Sequence, residues 1–383
     1  MRSTADAVIV GGGCMGASVA FHLARRGVTN IVLVEREPML GAGSTGRNAG
    51  GVRHQFSNEA NIRLSLESIR TLERFADEVG TPIDLHQDGY LFLLSAPESV
   101  AAFKRNVELQ RSCGISVDWL GASEAERLAP GLDGSGVLGA TFCQKDGIAD
   151  PNGVTMGFAK AAQAKGVEIV RETEVTGIDV GSGRITGVKT SRGAIATPVV
   201  VNAAGPHARL VGRLAGVDVP VDPYRRHIFI AQDFTRAVPP NRIMVIDFET
   251  TFYFHREGGG VLFGMGDPKE PAGFDTTVRW DFLPQVIEVA MRRLPALEDA
   301  SISHAWAGLY EMSPDANPLI GPAPGLEGFY VINGFSGHGF QHSPAAGRIL
   351  ADLITGGDPH IDVTPFAPDR FRAGVAAGEH YVV

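Results

Sequence analysis

One stretch, Ala5-Asp6-Ala7-Val8-Ile9-Val10-Gly11-Gly12-Gly13-Cys14-Met15-Gly16, restricts the fold of this chain more than any other. An apolar run enters a glycine turn, a helix-like stretch follows, and a second apolar run, Ile31-Val32-Leu33-Val34, ends on Glu35. Strand, turn, helix and terminal acid in this order form the G-x-G-x-x-G nucleotide-binding unit, with the acid about 20 residues on. Gly11 permits the tight turn, Gly13 lets the backbone approach a pyrophosphate, and Gly16 brings helix and sheet close together. Cys14 and Met15 lie inside the turn, where the helix N-terminus offers free N–H groups and a positive dipole end. Glu35, followed by Arg36, is placed to accept hydrogen bonds from an adenosine ribose. A carboxylate there disfavours a 2′-phosphate, so NADP is the least suited ligand. The fingerprint alone does not choose between FAD and NAD.

A chain of 383 residues is long enough for two packed domains. Its 44% hydrophobic and 20% charged residues are those of an ordinary globular protein. The net charge of −9, with no long Lys or Arg run, argues against nucleic acid or anionic membrane as a partner. Three scattered cysteines, Cys14, Cys113 and Cys143, suggest neither a disulfide framework nor a metal site. No apolar run approaches a membrane span, and the glycine-broken start lacks the form of a signal peptide. The expectation is a cytoplasmic protein.

Downstream, Gly41-Ala42-Gly43-Ser44-Thr45-Gly46-Arg47-Asn48-Ala49-Gly50-Gly51-Val52-Arg53 is too rich in glycine and small polar residues for a regular element. Ile62, Leu66, Ile69, Leu72 and Phe75 recur at helical spacing, with Ser57 and Asn58 as candidate caps. Residues 88–94 predict a strand, 98–113 a helix, and Asp150-Pro151 opens another helix. Short strands with glycine turns fill 167–195, and Val199-Val200-Val201-Asn202-Ala203-Ala204-Gly205 is an apolar strand entering a small-residue turn. Residues 219–263 alternate in β fashion, with a helix over 282–294. The strand 328–333 then precedes Gly334-Phe335-Ser336-Gly337-His338-Gly339-Phe340-Gln341-His342 and a helix over 344–354, capped by Ser343 and ended by Gly356. α/β pieces thus recur at the start, middle and end, with β-rich pieces between them.

Four of these passages together resemble the D-amino-acid oxidase superfamily of FAD enzymes: the fingerprint, the Gly43 to Gly51 loop, Val201 to Gly205, and Gly334 to Phe340. Within it, Arg53-His54-Gln55-Phe56-Ser57-Asn58-Glu59-Ala60-Asn61 is similar to the branch of sarcosine oxidases, dimethylglycine dehydrogenase and the β subunits of heteromeric sarcosine oxidase and L-proline dehydrogenase. The resemblance implies an α/β protein of two domains, a Rossmann-like FAD-binding domain interleaved with a substrate domain on a largely antiparallel sheet. Residues 1–85, 147–216 and 317–372 would form the first, and 86–146 and 217–316 the second.

It also implies roles. Gly11, Gly13, Gly16 and Glu35 would hold the ADP half of FAD, with Gly43, Ser44 and Thr45 at the pyrophosphate and Val175 at the adenine. Arg47, Asn48, Ala49, Gly50 and Gly51 would run beside the flavin, and Ala203, Ala204 and Gly205 would pass close to the cofactor. Gly337, His338, Gly339, Phe340 and Gln341 would line the pyrimidine edge, where a following helix would stabilise negative charge. Relatives attach flavin through a His where this chain has Arg47 or a Cys where it has Gly308, so FAD is expected to dissociate. The oxygen-activating lysine of monomeric sarcosine oxidases aligns with Leu262, and another lysine with Gln341. Both changes leave dehydrogenase and slow oxidase open.

Amine oxidation needs an α C–H held at the flavin, a deprotonated nitrogen and an anchored carboxylate. The resemblance places Arg53 as the carboxylate clamp, a task suited to its fork of donors. Tyr253 and Arg256 come from a strand expected to face the flavin. Alternation puts Tyr253 and His255 on one face and Phe254 and Arg256 on the other. His338 and Tyr310 complete the candidates, and the basic run Arg225-Arg226-His227 is open as a solvated strand edge, a partner-subunit contact or a substrate-entry charge. The expected partners are a small amine or amino acid and either oxygen or an electron-transfer acceptor, with a partner subunit or a second copy open. The rival class is a flavin-bearing β-type subunit or assembly factor with little activity of its own.

Overall fold

The computed structural model of the chain describes residues 1–232, 239–373 and 378–382. A six-stranded sheet runs in the order Leu319–Pro322, Phe329–Asn333, Val200–Asn202, Ala7–Val10, Ile31–Val34, Glu168–Val170. Its strands are parallel except for the pair at the first edge. Ala7–Val10 and Ile31–Val34 are buried throughout because both sheet faces are covered. Ala7, Ile9, Ile31 and Leu33 pack with the helices Cys14–Arg25, Pro151–Ala164 and Gly339–Thr355. Val8, Val10, Val32 and Val34 face a second core with the meander Val175–Gly181, Arg184–Thr190 and Gly193–Ala196.

An eight-stranded sheet has the order Ile302–Met312, Asp222–Ala231, Gly260–Met265, Phe252–Glu257, Met244–Asp247, Tyr90–Leu94, Gly139–Cys143, Asp118–Leu120. All its pairings are antiparallel except Met244–Asp247 with Tyr90–Leu94. One face, with Phe229, Phe252, Phe254 and Phe263, packs under the helix Leu283–Arg293. The pleat therefore turns Tyr253, Ile228 and Ile246 to the opposite face.

One of the two candidate caps of the helix Glu59–Glu73 is chosen, and one expected helix boundary is corrected. Asn58 caps Glu59–Glu73 by accepting from Asn61 N–H at 2.9 Å, whereas the Ser57 hydroxyl donates to Glu379 at 2.6 Å. The C-terminal helix begins at Gly339 rather than Pro344, and the Ser343 hydroxyl caps nothing. Pro344 has no N–H to donate, yet its fixed φ suits the helix. The next N–H, of Ala345, goes to the Ser68 hydroxyl at 3.2 Å. Among the described residues no helix is long and apolar enough to cross a membrane.

Candidate active site

A cavity of about 870 Å³ is lined from both large sheets. It brings together Gly11, Gly13, Cys14, Met15, Glu35, Arg36, Gly43, Ser44, Thr45, Arg47, Asn48, Ala49, Gly51, Arg53, Val175, Ala203, Ala204, Gly205, Tyr253, Tyr310, Gly337, His338, Gly339, Phe340 and Gln341. Gly16, Gly50 and Arg256 do not line it.

One half of the cavity is a main-chain cradle. Gly11 has φ +111°, and a Cβ there would lie 2.4 Å from the Ala203 carbonyl oxygen. Gly16 acts behind the wall: its Cβ would lie 1.9 Å from the Gly11 carbonyl oxygen. Gly50 likewise backs onto the Ala149 carbonyl, 2.6 Å from where its Cβ would be. The Glu35 carboxylate accepts from Gly12 N–H at 2.6 Å and Glu37 N–H at 2.8 Å, which fixes the acid at the rim of the glycine turn. Thr45 Oγ1 accepts from Cys14 N–H at 3.1 Å, and the Ser44 hydroxyl donates to the Leu309 carbonyl at 2.7 Å. Asn48 accepts from Gly50 N–H at 2.7 Å. The second glycine loop is thus tied to both the first turn and the long strand Ile302–Met312. Burial pushes the Cys14 thiol up to about 11, so it stays a thiol.

The start of Gly339–Thr355 closes the floor, and its opening N–H groups have no intrahelical acceptors. Neither ring nitrogen of His338 has a hydrogen-bond partner among the described residues. Burial holds its pKa well below the ordinary value, assisted by His342 and the Arg53 charge, so the ring is neutral. Beside it, Glu311 is pushed up to about 7 by burial, against the opposing effect of the Gly334 and Phe335 N–H groups. Its Oε2 has no hydrogen-bond partner among the described residues.

The other half is a chamber of side chains. Ile228, Gly264, Tyr253 and Ile246 sit in register across four strands. A Cβ on Gly264 would lie 2.5 Å from Tyr253 Oη, so this glycine makes room for the phenol. Burial pushes the Tyr253 and Tyr310 hydroxyls up, and both remain protonated. The opposite pleat phase carries Arg256 away from the cavity, and it donates to the Gly258 carbonyl at 3.3 Å. Arg256 therefore does not join the site expected for it. Tyr310 lies against Gly337, whose Cβ would be 2.3 Å from its ring. Gly308 adjoins Arg47, 3.1 Å from where its Cβ would be to the Arg47 Cβ.

Arg53 is in the wall and only 4% exposed, but its guanidinium is already engaged. It donates to the main-chain carbonyls of Gln55 and Tyr381 and stacks 4.1 Å from the Phe56 ring centre. Its own N–H donates to Gln341 Oε1 at 2.6 Å. The segment around Tyr381 is pinned by buried Glu379, which accepts from the Ser57 N–H, the Ser57 hydroxyl and the side chains of Asn58 and Asn61. Behind Arg53, Asp146 accepts from the His54 N–H and Nδ1 at 2.7 Å and from Gln55 Nε2 at 3.0 Å. His54, Asp146 and Cys143 have ligand-type atoms within 4.8 Å of one another, with those carboxylate bonds spent on shaping the loop.

The lining also includes residues that the sequence reading gave no role at the site, among them Tyr90, Met244, Ile246, Glu311 and Tyr381, and it includes Arg226, whose task that reading left open. Only the alternation along 244–247 and 222–231 carried a signal for any of them.

The described fold and cradle fit FAD: the cavity of about 870 Å³ is walled in one part by glycine turns and in another by the first residues of the helix Gly339–Thr355. The family profile described as DAO, FAD dependent oxidoreductase, matches residues 6–353. Human mitochondrial sarcosine dehydrogenase is 31% identical over 97% of this chain and 42% of its own length. The chain therefore spans less than half of that relative. Cattle FAD-dependent oxidoreductase domain-containing protein 1 is 30% identical over 99% of this chain and 87% of its own. Among solved structures, L-proline dehydrogenase from P. horikoshii superposes with TM-score 0.92 at 36% identity, covering 98% of this chain and 100% of that one.

Proposed function

We propose that this chain, which belongs to the DAO family of FAD-dependent oxidoreductases, oxidises a small secondary or tertiary amino acid of the sarcosine type. The reaction removes hydride from the carbon next to nitrogen and leaves an imine that water hydrolyses. FAD, when bound, supplies the hydride acceptor. The observation that carries the reading is one continuous cavity joining a nucleotide cradle to a chamber of phenols and guanidinium groups. Gly11, Gly13, Glu35, Ser44, Thr45, Val175 and residues 203–205 would hold the nucleotide, and residues 337–341 the flavin edge. In this reading the six-stranded sheet is the core of the FAD domain and the eight-stranded sheet that of the substrate domain. Gly308 and Arg47 offer no flavin-linking nucleophile, so the cofactor is held without a covalent bond.

The residues have separable tasks. Arg53 and Arg226 make the chamber positive, which disfavours a substrate ammonium and favours the neutral amine that can lose hydride. Tyr253 and Tyr310 shape the chamber as neutral donors, and neutral His338 adds no charge to the flavin edge. The helix Gly339–Thr355 turns its positive end to that edge, where reduction places negative charge. Leu262 is buried at the position expected to activate oxygen, which favours a dehydrogenase or slow oxidase.

Anaerobic titration of the flavin-loaded protein with sarcosine, dimethylglycine, proline and glycine tests the reading. Bleaching by at least one, followed by slow recovery in air, is expected; no bleaching by any of them overturns it. A second reading rests on the 27% identity to the sarcosine oxidase β subunit of Arthrobacter sp., which this chain matches over 94% of that subunit. There the chain serves as a flavin-bearing subunit. Turnover by the purified chain alone, at its measured size, would exclude it.

A further inference from the structure

Arg225 and Arg226 are neighbours on the strand Asp222–Ala231, and the pleat sends them to opposite faces. Arg225 is matched by acids: its Nη2 lies 2.8 Å from Glu270 and its Nη1 2.6 Å from Asp275. Arg226 lines the cavity with Ile228, two residues on and in the same phase. It has no acidic partner among the described residues. Within its own strand, Arg226 Nη1 donates to the Arg225 carbonyl at 3.0 Å. The guanidinium lies over the Tyr310 ring, 5.0 Å from its centre, and Tyr310 in turn touches Gly337.

We propose that Arg226 receives the carboxylate of the amino-acid substrate, since the Arg53 guanidinium already donates to the Gln55 and Tyr381 carbonyls. This rests on the amino-acid oxidoreductase reading above. Three observations converge on it. A half-buried guanidinium without a counter-ion favours an incoming anion, and a carboxylate fits its fork of donors. The Tyr310 face lies 5.0 Å from the guanidinium carbon and holds the group at the cavity wall that both residues line. Arg226 shares the chamber face with Tyr253, with Gly264 of the strand Gly260–Met265 between their two strands, so one small molecule can touch both. The substrate class is accordingly a small monocarboxylate bearing its amine one carbon away.

The test uses the flavin-loaded protein and a matched pair of probes that cannot be oxidised, 2-furoate and its neutral amide. Each is titrated while the visible flavin spectrum is followed. For wild type, 2-furoate should bind more tightly than the amide. In Arg226→Met the furoate dissociation constant should rise 30-fold or more while that of the amide changes less than threefold. Arg226→Lys should restore part of the preference, because a point charge replaces the fork. An unchanged furoate-to-amide ratio in Arg226→Met, at wild-type flavin content, overturns the proposal. If Arg226→Met fails to hold flavin, the ratio in Arg226→Lys and Arg226→Gln decides in its place, and equal ratios in both overturn it. Wild type that binds neither probe and is bleached by no amino acid overturns the underlying reading as well. Furoate preference that survives in every Arg226 variant, alongside bleaching, overturns this assignment alone.

Discussion

The cradle and the chamber share one cavity but are made of different material. The cradle is main chain: glycines at 11, 13 and 16, the 43–51 loop and a helix N-terminus, with approach distances set by missing Cβ atoms. The chamber is side chains from the Tyr90, Arg226, Met244, Tyr253 and Tyr310 strands and the Tyr381 segment. A main-chain site has no slack, since an added atom must displace backbone. A side-chain site can be altered one group at a time, and this is where substrate choice can change while the cofactor stays.

The contrast is broken most severely at Gly11. Gly11→Ala would place Cβ 2.4 Å from the Ala203 carbonyl oxygen at φ +111°, combining overlap with a left-handed backbone. The expected cost is on the order of 3 kcal/mol or more. Flavin content per protein, read as the ratio of visible to ultraviolet absorbance, should fall below about a tenth of wild type. Retention of full flavin would show that the cradle is softer than its contacts imply.

On the chamber side, Arg53→Met should cost stability and spare the cofactor. It leaves the Gln55 and Tyr381 carbonyls without donors, at roughly 1.5–3 kcal/mol for each hydrogen bond to a charged group. Thermal unfolding of the flavin-loaded protein should begin several degrees lower, with flavin stoichiometry near one. Susceptibility of the Tyr381 segment to limited proteolysis should rise in parallel. If the melting temperature holds while substrate binding collapses, Arg53 grips substrate after all.

The same division explains what the sequence disclosed. Gly11 and Gly16 are legible because their requirement is local: a turn of fixed geometry fails with any Cβ. Asn58 was one of two candidate caps, and the choice fell to a residue over 300 positions away: Glu379 takes the Ser57 hydroxyl and leaves Asn58 to the helix. Alternation separated Tyr253 from Arg256, yet the phase of the pleat depends on which face Phe252 and Phe254 bury, a tertiary matter. Arg225 and Arg226 look alike in sequence; only Glu270 and Asp275, distant along the chain, distinguish them. Arg53 lines the cavity, but the Tyr381 carbonyl that engages it lies more than 300 residues along the chain, beyond the reach of any local pattern.

Glu311 sharpens the comparison with a pH dependence. It belongs to the cradle floor, and burial raises its folded pKa to about 7 from an ordinary value of 4.5. Below the lower value both folded and unfolded chains hold the proton, and the carboxyl costs nothing. As pH rises toward 7 the unfolded chain releases its proton first, so the folded state loses relative stability until Glu311 also ionises. Glu311→Gln removes this dependence. Melting temperatures of the cofactor-free proteins should therefore diverge between pH 4.5 and 7, with the glutamine variant gaining as pH rises. Parallel curves would mean that Glu311 is solvated or paired.

The smallest effect belongs to Arg256, one residue off the pleat phase that serves the site. Its guanidinium bonds two exposed main-chain carbonyls, of Gly258 at 3.3 Å and Pro240 at 3.5 Å, and touches no cavity residue in those bonds. Arg256→Ala should change stability by within about 0.5 kcal/mol, as expected of a surface position. Flavin content and the 2-furoate dissociation constant should both stay within twofold of wild type. Tyr253→Phe, three positions earlier on the same strand, should keep flavin but alter the furoate spectrum, since Tyr253, unlike Arg256, lines the chamber. A drop in furoate affinity for Arg256→Ala that matches Tyr253→Phe would mean the strand presents its other face to the ligand. In that case the row Ile228, Gly264, Tyr253, Ile246 would not be the chamber wall.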